Sequence, residues 1–208
     1  MSRKPIALAM TGASGAAYGL RLLECLLRAG EPVYLMLSQP GQIVIGMETD
    51  LKLPARPKEI EEFLSRLYQA QPGQLRVFGR DQWTAPVASG SHAPRAMIVC
   101  PCTSGTLASI ANGASKDLLE RAADVVLKEQ RKLILVLRET PLSAIHLENA
   151  LKLARLGVTI MPACPGFYNL PQSVNDLVDF MVARVLDHLD IEHALIPRWG
   201  GETETYLA

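Results

Sequence analysis

Short apolar runs recur along this chain with helical patterns between them, and that alternation limits the fold more than any other feature. Runs at 5–11, 33–37, 76–78, 96–100, 133–137 and 158–162 read as strands. "MIVCP" and "LILVL" are apolar without alternation, as in strands buried on both faces of a parallel sheet. Helical patterns fill 15–29, 40–47, 57–70, 104–112, 116–130 and 141–156, and a last one covers 171–189. The first carries Leu20, Leu23, Leu26 and Leu27 on one face and stops at Gly30. In 141–156, Thr140 reads as the N-cap, Pro141 as the first helical residue and Gly157 as the stop. Strand–helix alternation of this kind implies a doubly wound α/β domain, Rossmann- or flavodoxin-like, with helices on both faces of a parallel sheet. The expectation is a single domain over 1–208 with a C-terminal arm from about 190 to 208. The stretch 79–95 reads as a long loop, and long loops inside compact domains are often functional.

Composition matters here for what it excludes. Lysine plus arginine equals aspartate plus glutamate at 21 each, so the net charge gives no handle for nucleic acid or an anionic membrane. The longest uncharged stretch, Ala96–Ser115, is broken by Pro101, two cysteines and two glycines, which argues against a membrane span. Arg3 and Lys4 precede an apolar run too short for a signal peptide, so a cytoplasmic protein is expected. Cys25, Cys100, Cys102 and Cys164 form no C-x-x-C pair; buried structural thiols are expected, and no metal site.

In open α/β sheets ligands bind beyond the carboxyl ends of the strands. Those ends read Thr11-Gly12-Ala13-Ser14, then Ser38, then Pro101-Cys102-Thr103-Ser104-Gly105-Thr106, then Arg138-Glu139, then Pro162 to Tyr168. The first turn is neither a Walker A loop nor G-x-G-x-x-G, yet a Gly-rich strand-to-helix turn aims N–H groups at an anion. An NAD site wants a carboxylate at the end of the second strand, where this chain has Ser38. A mononucleotide fits better, its phosphate taking the "TSGT" turn at 103–106. Arg121 and Lys128, seven apart, share a helix face, and with Arg138 and Arg184 they form either a cationic pocket or solvated surface. Glu139 is an arginine partner or an acid/base, and Glu48 by itself is an ordinary helix-end residue. Tyr168 is a packed aromatic or a phosphate contact; Trp83 and Trp199 suit an interface equally. His146 reads as a satisfied structural histidine, and His92 has no assigned role.

Taken in order, "MTGASGA" (10–16), "METD" (47–50), "ASGS" (88–91), "CPCTSGTLASIANG" (100–113), "LLERAADVVLKE" (118–129), "LVLRETPLSAIHLENALKLARLG" (135–157), "PGFYNLPQSV" (165–174) and "RWG" (198–200) resemble the UbiX-type flavin prenyltransferases, within the wider family of homo-oligomeric FMN-binding decarboxylase-like proteins. The resemblance implies transfer of a dimethylallyl group from dimethylallyl phosphate to N5 and C6 of reduced FMN, without a metal. The product is the prenylated FMN cofactor of UbiD-type decarboxylases, and the assembly is a homododecamer. It also implies that Gly12, Ala13, Ser14, Ser38, Thr103, Ser104, Gly105, Thr106, Arg121 and Arg138 contact the flavin nucleotide. Lys128, Arg138, Tyr168, Arg184 and Trp199 would hold the prenyl donor, and Ser14, Glu48, Lys128 and Glu139 would serve the chemistry, with Glu48 the expected ring-closing base. An FMN-dependent cysteine-type decarboxylase on the same fold and a non-catalytic FMN carrier stand as alternatives.

Overall fold

The computed structural model describes residues 3–197. Six parallel strands, β1 (Ile6–Met10), β2 (Val33–Leu37), β3 (Leu75–Phe78), β4 (Ala96–Cys102), β5 (Lys132–Leu137) and β6 (Thr159–Pro162), form one sheet in the order β3-β2-β1-β4-β5-β6. The connecting helices are α1 (Ala16–Arg28), α2 (Gln39–Glu48), α3 (Pro57–Leu67), α4 (Ser104–Ala111), α5 (Leu118–Lys128) and α6 (Ala144–Ala154). The chain divides into two compact units, Met1–Ala163, which holds this sheet, and Cys164–Ala208, which holds α7 (Val174–His188).

The unbroken apolar runs have the expected cause. Ala7 and Ala9, Met97 and Val99, and Leu133 and Leu135 point into a cluster with Leu107 of α4, Ala122 and Val126 of α5 and Leu153 of α6. The alternate residues Ile6, Leu8, Ile98 and Ile134 are also fully buried, so both sides of the central strands are covered. On α1 the stripe is Leu20, Leu22, Leu23, Leu26 and Leu27.

One helix start departs from the sequence reading. Thr140 does not cap α6; Ser143 does, three residues later. Its Oγ accepts the His146 N–H at 3.3 Å, while His146 Nδ1 accepts the Ser143 N–H at 3.2 Å. This reciprocal box satisfies two orphan amides and gives His146 its structural place. Within the 79–95 loop, Pro86–Ala88 and Gly90–His92 form short 3-10 turns. Cys100 and Cys102 are buried as expected, but Cys25 is only half-buried and Cys164 is exposed. Among the described residues no helix is long and apolar enough to cross a membrane.

Candidate functional site

The strand order reverses between β1 and β4, and in such sheets the crevice at the reversal receives the ligand. The two small-residue turns flank that crevice, one after β1 and one after β4. Thr11, 3% exposed, ties them together. Its hydroxyl donates to the Pro101 carbonyl at 2.8 Å and accepts the Thr103 N–H at 2.9 Å. The sequence reading gave Thr11 no role, although the threonine opening "TGAS" was its signal.

The first turn requires two glycines for different reasons. At Gly12 a Cβ would fall 2.4 Å from Pro40 Cβ, so the turn could not lie this close to the start of α2. Gly15 has φ +106°, a left-handed conformation that favours glycine. The amides this turn exposes are already engaged. Glu48, the last residue of α2, accepts the Gly15 and Ala16 N–H groups through Oε2, each at 2.8 Å, and the Ser14 hydroxyl bonds to the same carboxylate. Burial acts to raise the Glu48 carboxyl. The hydrogen bonds from Ser14, Ala16 and Gly15 and the Arg138 charge outweigh it, and the net shift is downward.

The second turn is different. Thr103 caps α4 by accepting the Thr106 N–H at 3.0 Å, and it also donates its hydroxyl to Thr106 Oγ1 at 2.9 Å. Among the described residues no capping bond takes the Ser104 and Gly105 N–H groups, which leaves an amide pair at a helix N-terminus beside the crevice. Next to it, at the end of β5, the Arg138 Nε is buried with no hydrogen-bond partner among the described residues. Glu139 receives the Ser104 hydroxyl at 2.8 Å and the Thr140 N–H at 3.2 Å. Those two bonds come first in holding its carboxyl below the usual range, and the Arg138 charge adds to them. Ser38 is committed to α2, accepting the Gly41 N–H at 3.0 Å.

Of the four cations read as either a pocket or solvated surface, Arg121, Lys128, Arg138 and Arg184, Lys128 and Arg138 lie at opposite edges of the sheet within one copy. Lys128 ends α5, four residues before β5 begins, at the amino edge of the sheet. Arg138 follows the carboxyl end of that strand, roughly 17 Å away along it. Lys128 pairs with Glu129 at 2.5 Å. Arg121 donates from Nε to the Ala88 carbonyl at 3.1 Å and pairs with Asp124 at 2.7 Å, clamping the 3-10 turn. In the second unit Tyr168 packs edge-on against Phe180, ring centroids 5.7 Å apart. Tyr168 and Arg184 both line a cleft of about 610 Å³ there. Trp199 lies outside the described residues.

Residues 1–186 match the family model described as Flavoprotein. The chain is 57% identical over 195 residues to the flavin prenyltransferase UbiX of Pseudomonas aeruginosa, covering 94% of this chain and 93% of that one. It is similar to the crystal structure of AnUbiX (PadA1) in complex with FMN and dimethylallyl pyrophosphate, with a TM-score of 0.84, 41% identity and coverage of 96% and 98%. A dodecameric FMN-dependent UbiX-like decarboxylase from Escherichia coli O157:H7 matches with a TM-score of 0.82, 41% identity and coverage of 95% and 100%.

Proposed function

We infer the function from one premise: this chain belongs to the flavoprotein family, and within it to the UbiX flavin prenyltransferases. It is an enzyme that moves a dimethylallyl group from dimethylallyl monophosphate onto N5 and C6 of reduced FMN. Kinship at 57% identity favours this over the cysteine-decarboxylase and flavin-carrier alternatives. The observation that carries the nucleotide assignment is the uncapped Ser104–Gly105 amide pair at the crevice, with Ser38 where a dinucleotide site would want a carboxylate.

The residues present fit FMN. Its phosphate takes the Ser104 and Gly105 amides and the Thr106 hydroxyl, which Thr103 orients. Gly12 and Ala13 let backbone approach the flavin, and Ser14 stands at its edge. Reduced flavin supplies the nucleophilic nitrogen and the ring carbon. Arg138, whose Nε has no hydrogen-bond partner among the described residues, is assigned to the donor phosphate; the family resemblance also assigns Tyr168 and Arg184 to a donor phosphate, whichever copy of the chain supplies them. Charge develops on that phosphate as the carbon–oxygen bond breaks, and fixed cations stabilise it without reorganising. Glu48 and Glu139 are both held down and stay ionised near neutral pH, which makes them good acceptors and weak bases. The released phosphate, with a second pKa of about 6, is the stronger base. It takes the proton that leaves at ring closure, and the two carboxylates orient what they touch.

The site needs more than one copy of the chain. Lys128 reaches an active site only from a neighbouring subunit, and α6 presents Leu147 and Leu151, four apart, outward as an apolar face. The assembly is a homo-oligomer, a dodecamer, in the cytoplasm, and its product serves a UbiD-type decarboxylase. Mass spectrometry of the flavin after incubation with reduced FMN and dimethylallyl monophosphate tests the reading. A flavin heavier by one prenyl group, closed as a new ring, is expected; recovery of unmodified FMN overturns it.

A further inference from the structure

We propose that His193 is a positioning residue for Arg184, acting through Asp187. The proposal deepens the reading above, in which Arg184 holds the donor phosphate. Arg184 and Asp187 lie three apart on α7, with Arg184 Nη1 donating to Asp187 Oδ2 at 2.9 Å. The other carboxylate oxygen, Oδ1, lies 3.1 Å from His193 Nε2. The far side of that ring is also fixed, because His193 Nδ1 accepts the Leu195 N–H at 3.4 Å. Acceptance at Nδ1 leaves the ring proton on Nε2, where it points at Asp187. The order is therefore backbone amide, imidazole, carboxylate, guanidinium, each donating to or accepting from the next.

Exposure rises along that order. The Arg184 side chain is 49% exposed, Asp187 32% and His193 6%. A half-exposed arginine would ordinarily sample many rotamers. Here the buried end of the series anchors it. The same residues line the 610 Å³ cleft, together with Asp190 and Glu192. Among the described residues that line it, three carboxylates face one guanidinium, a poor environment for a phosphate. Engaging Asp187 from both sides draws its charge away from the cleft and holds the arginine toward it.

His193→Phe keeps the buried ring volume and removes the donor. The Michaelis constant for dimethylallyl monophosphate should rise about five- to tenfold, the worth of one hydrogen bond, with kcat and FMN affinity within roughly twofold of wild type. His193→Gln, whose amide N–H₂ falls near the Nε2 position, should restore most of the loss. In an Arg184→Ala background the His193 change should have no further effect on the donor, because its target is gone. His193→Leu serves in its place if the phenyl ring does not pack. An unchanged donor constant in both His193 variants overturns the proposal, as does an effect that persists undiminished without Arg184. If Arg184→Ala itself leaves the donor constant unchanged, the phosphate role of Arg184 fails first, and the His193 proposal falls with it.

Discussion

Replacing Glu48 by glutamine removes one charge and almost no volume, at the place where two helices meet. The carboxylate ends α2 and receives two amides at the start of α1, both at 2.8 Å. A negative charge at a helix N-terminus contributes about 0.3–1 kcal/mol, and hydrogen bonds to an ionised acceptor are roughly twice as strong as neutral ones. Glutamine keeps an acceptor oxygen, so only the charged part of those bonds is lost. Glu48 is an exposed residue and solvent screens it, so the upper end of that sum is out of reach. A loss of about 1 kcal/mol remains, or roughly 2–4 °C in Tm for a chain of this size. The effect must also depend on pH. The Glu48 carboxyl is lowered in the folded state, so its contribution is fully present above the unfolded pKa of about 4.3 and is lost as pH falls through the folded value. The glutamine of the variant does not titrate. The wild-type advantage at pH 7 should therefore shrink on acidification and vanish once Glu48 is protonated. Thermal unfolding of both proteins from pH 7 down into the acid range checks this. Equal stability at pH 7, or a gap that survives acidification undiminished, would refute the electrostatic account.

Purified protein should bind FMN at one per subunit, read by absorbance and by extraction of the nucleotide; recovery of NAD or FAD with no FMN affinity would contradict the crevice assignment. Gly105→Asp sets a carboxylate beside the amide pair of α4, where a Cβ meets nothing nearer than Thr103 Oγ1 at 3.9 Å. FMN affinity should fall at least about tenfold through like-charge repulsion, without loss of fold, as flavin titration and circular dichroism can show. Leu147→Glu with Leu151→Glu charges the outward face of α6, and light scattering should then report smaller species with little or no activity; an intact assembly would remove α6 from the interface.

The sheet was legible because its central strands β1, β4 and β5 are apolar runs buried on both faces, whereas the edge strand β3 carries the exposed Arg76. Helix ends were less legible. Helices 57–70 and 171–189 begin or end up to three residues short of the sequence reading because the last turns go to caps and left-handed residues such as Gln69 and Leu170. At α6 the Thr-Pro pair was the louder signal, but Ser143 and His146 stand at capping-box spacing with histidine where glutamate is usual. Arg138 was found from position alone, since it follows an apolar strand at the ligand edge. Lys128 and Arg138 do not meet within one copy for a physical reason: helical periodicity says which residues share a face, not which edge of the sheet that face ends on. Glu48 and Gly15 are 33 residues apart, and nothing local in "METD" announces that this carboxylate crosses to another helix.

The N-termini of α1, α2 and α4, the helices that follow β1, β2 and β4, differ in how far the protein itself fills them. Helices α1, α2 and α4 all begin at the carboxyl edge of the sheet, each with orphan amides. At α1 the protein fills the position with its own Glu48. At α2, Pro40 has no N–H and Ser38 takes that of Gly41. Of these three, α4 has a cap that stops at Thr106 and, among the described residues, leaves the Ser104 and Gly105 amides without a hydrogen bond. A phosphate at α1 would displace a carboxylate that already has three hydrogen bonds, and like charge would oppose it. On the reading proposed above, the site orients a nucleotide by exclusion as well as by attraction: its phosphate end is assigned to the turn after β4, where no carboxylate holds the Ser104 and Gly105 amides among the described residues, and its ring end to the turn after β1, beside Ser14.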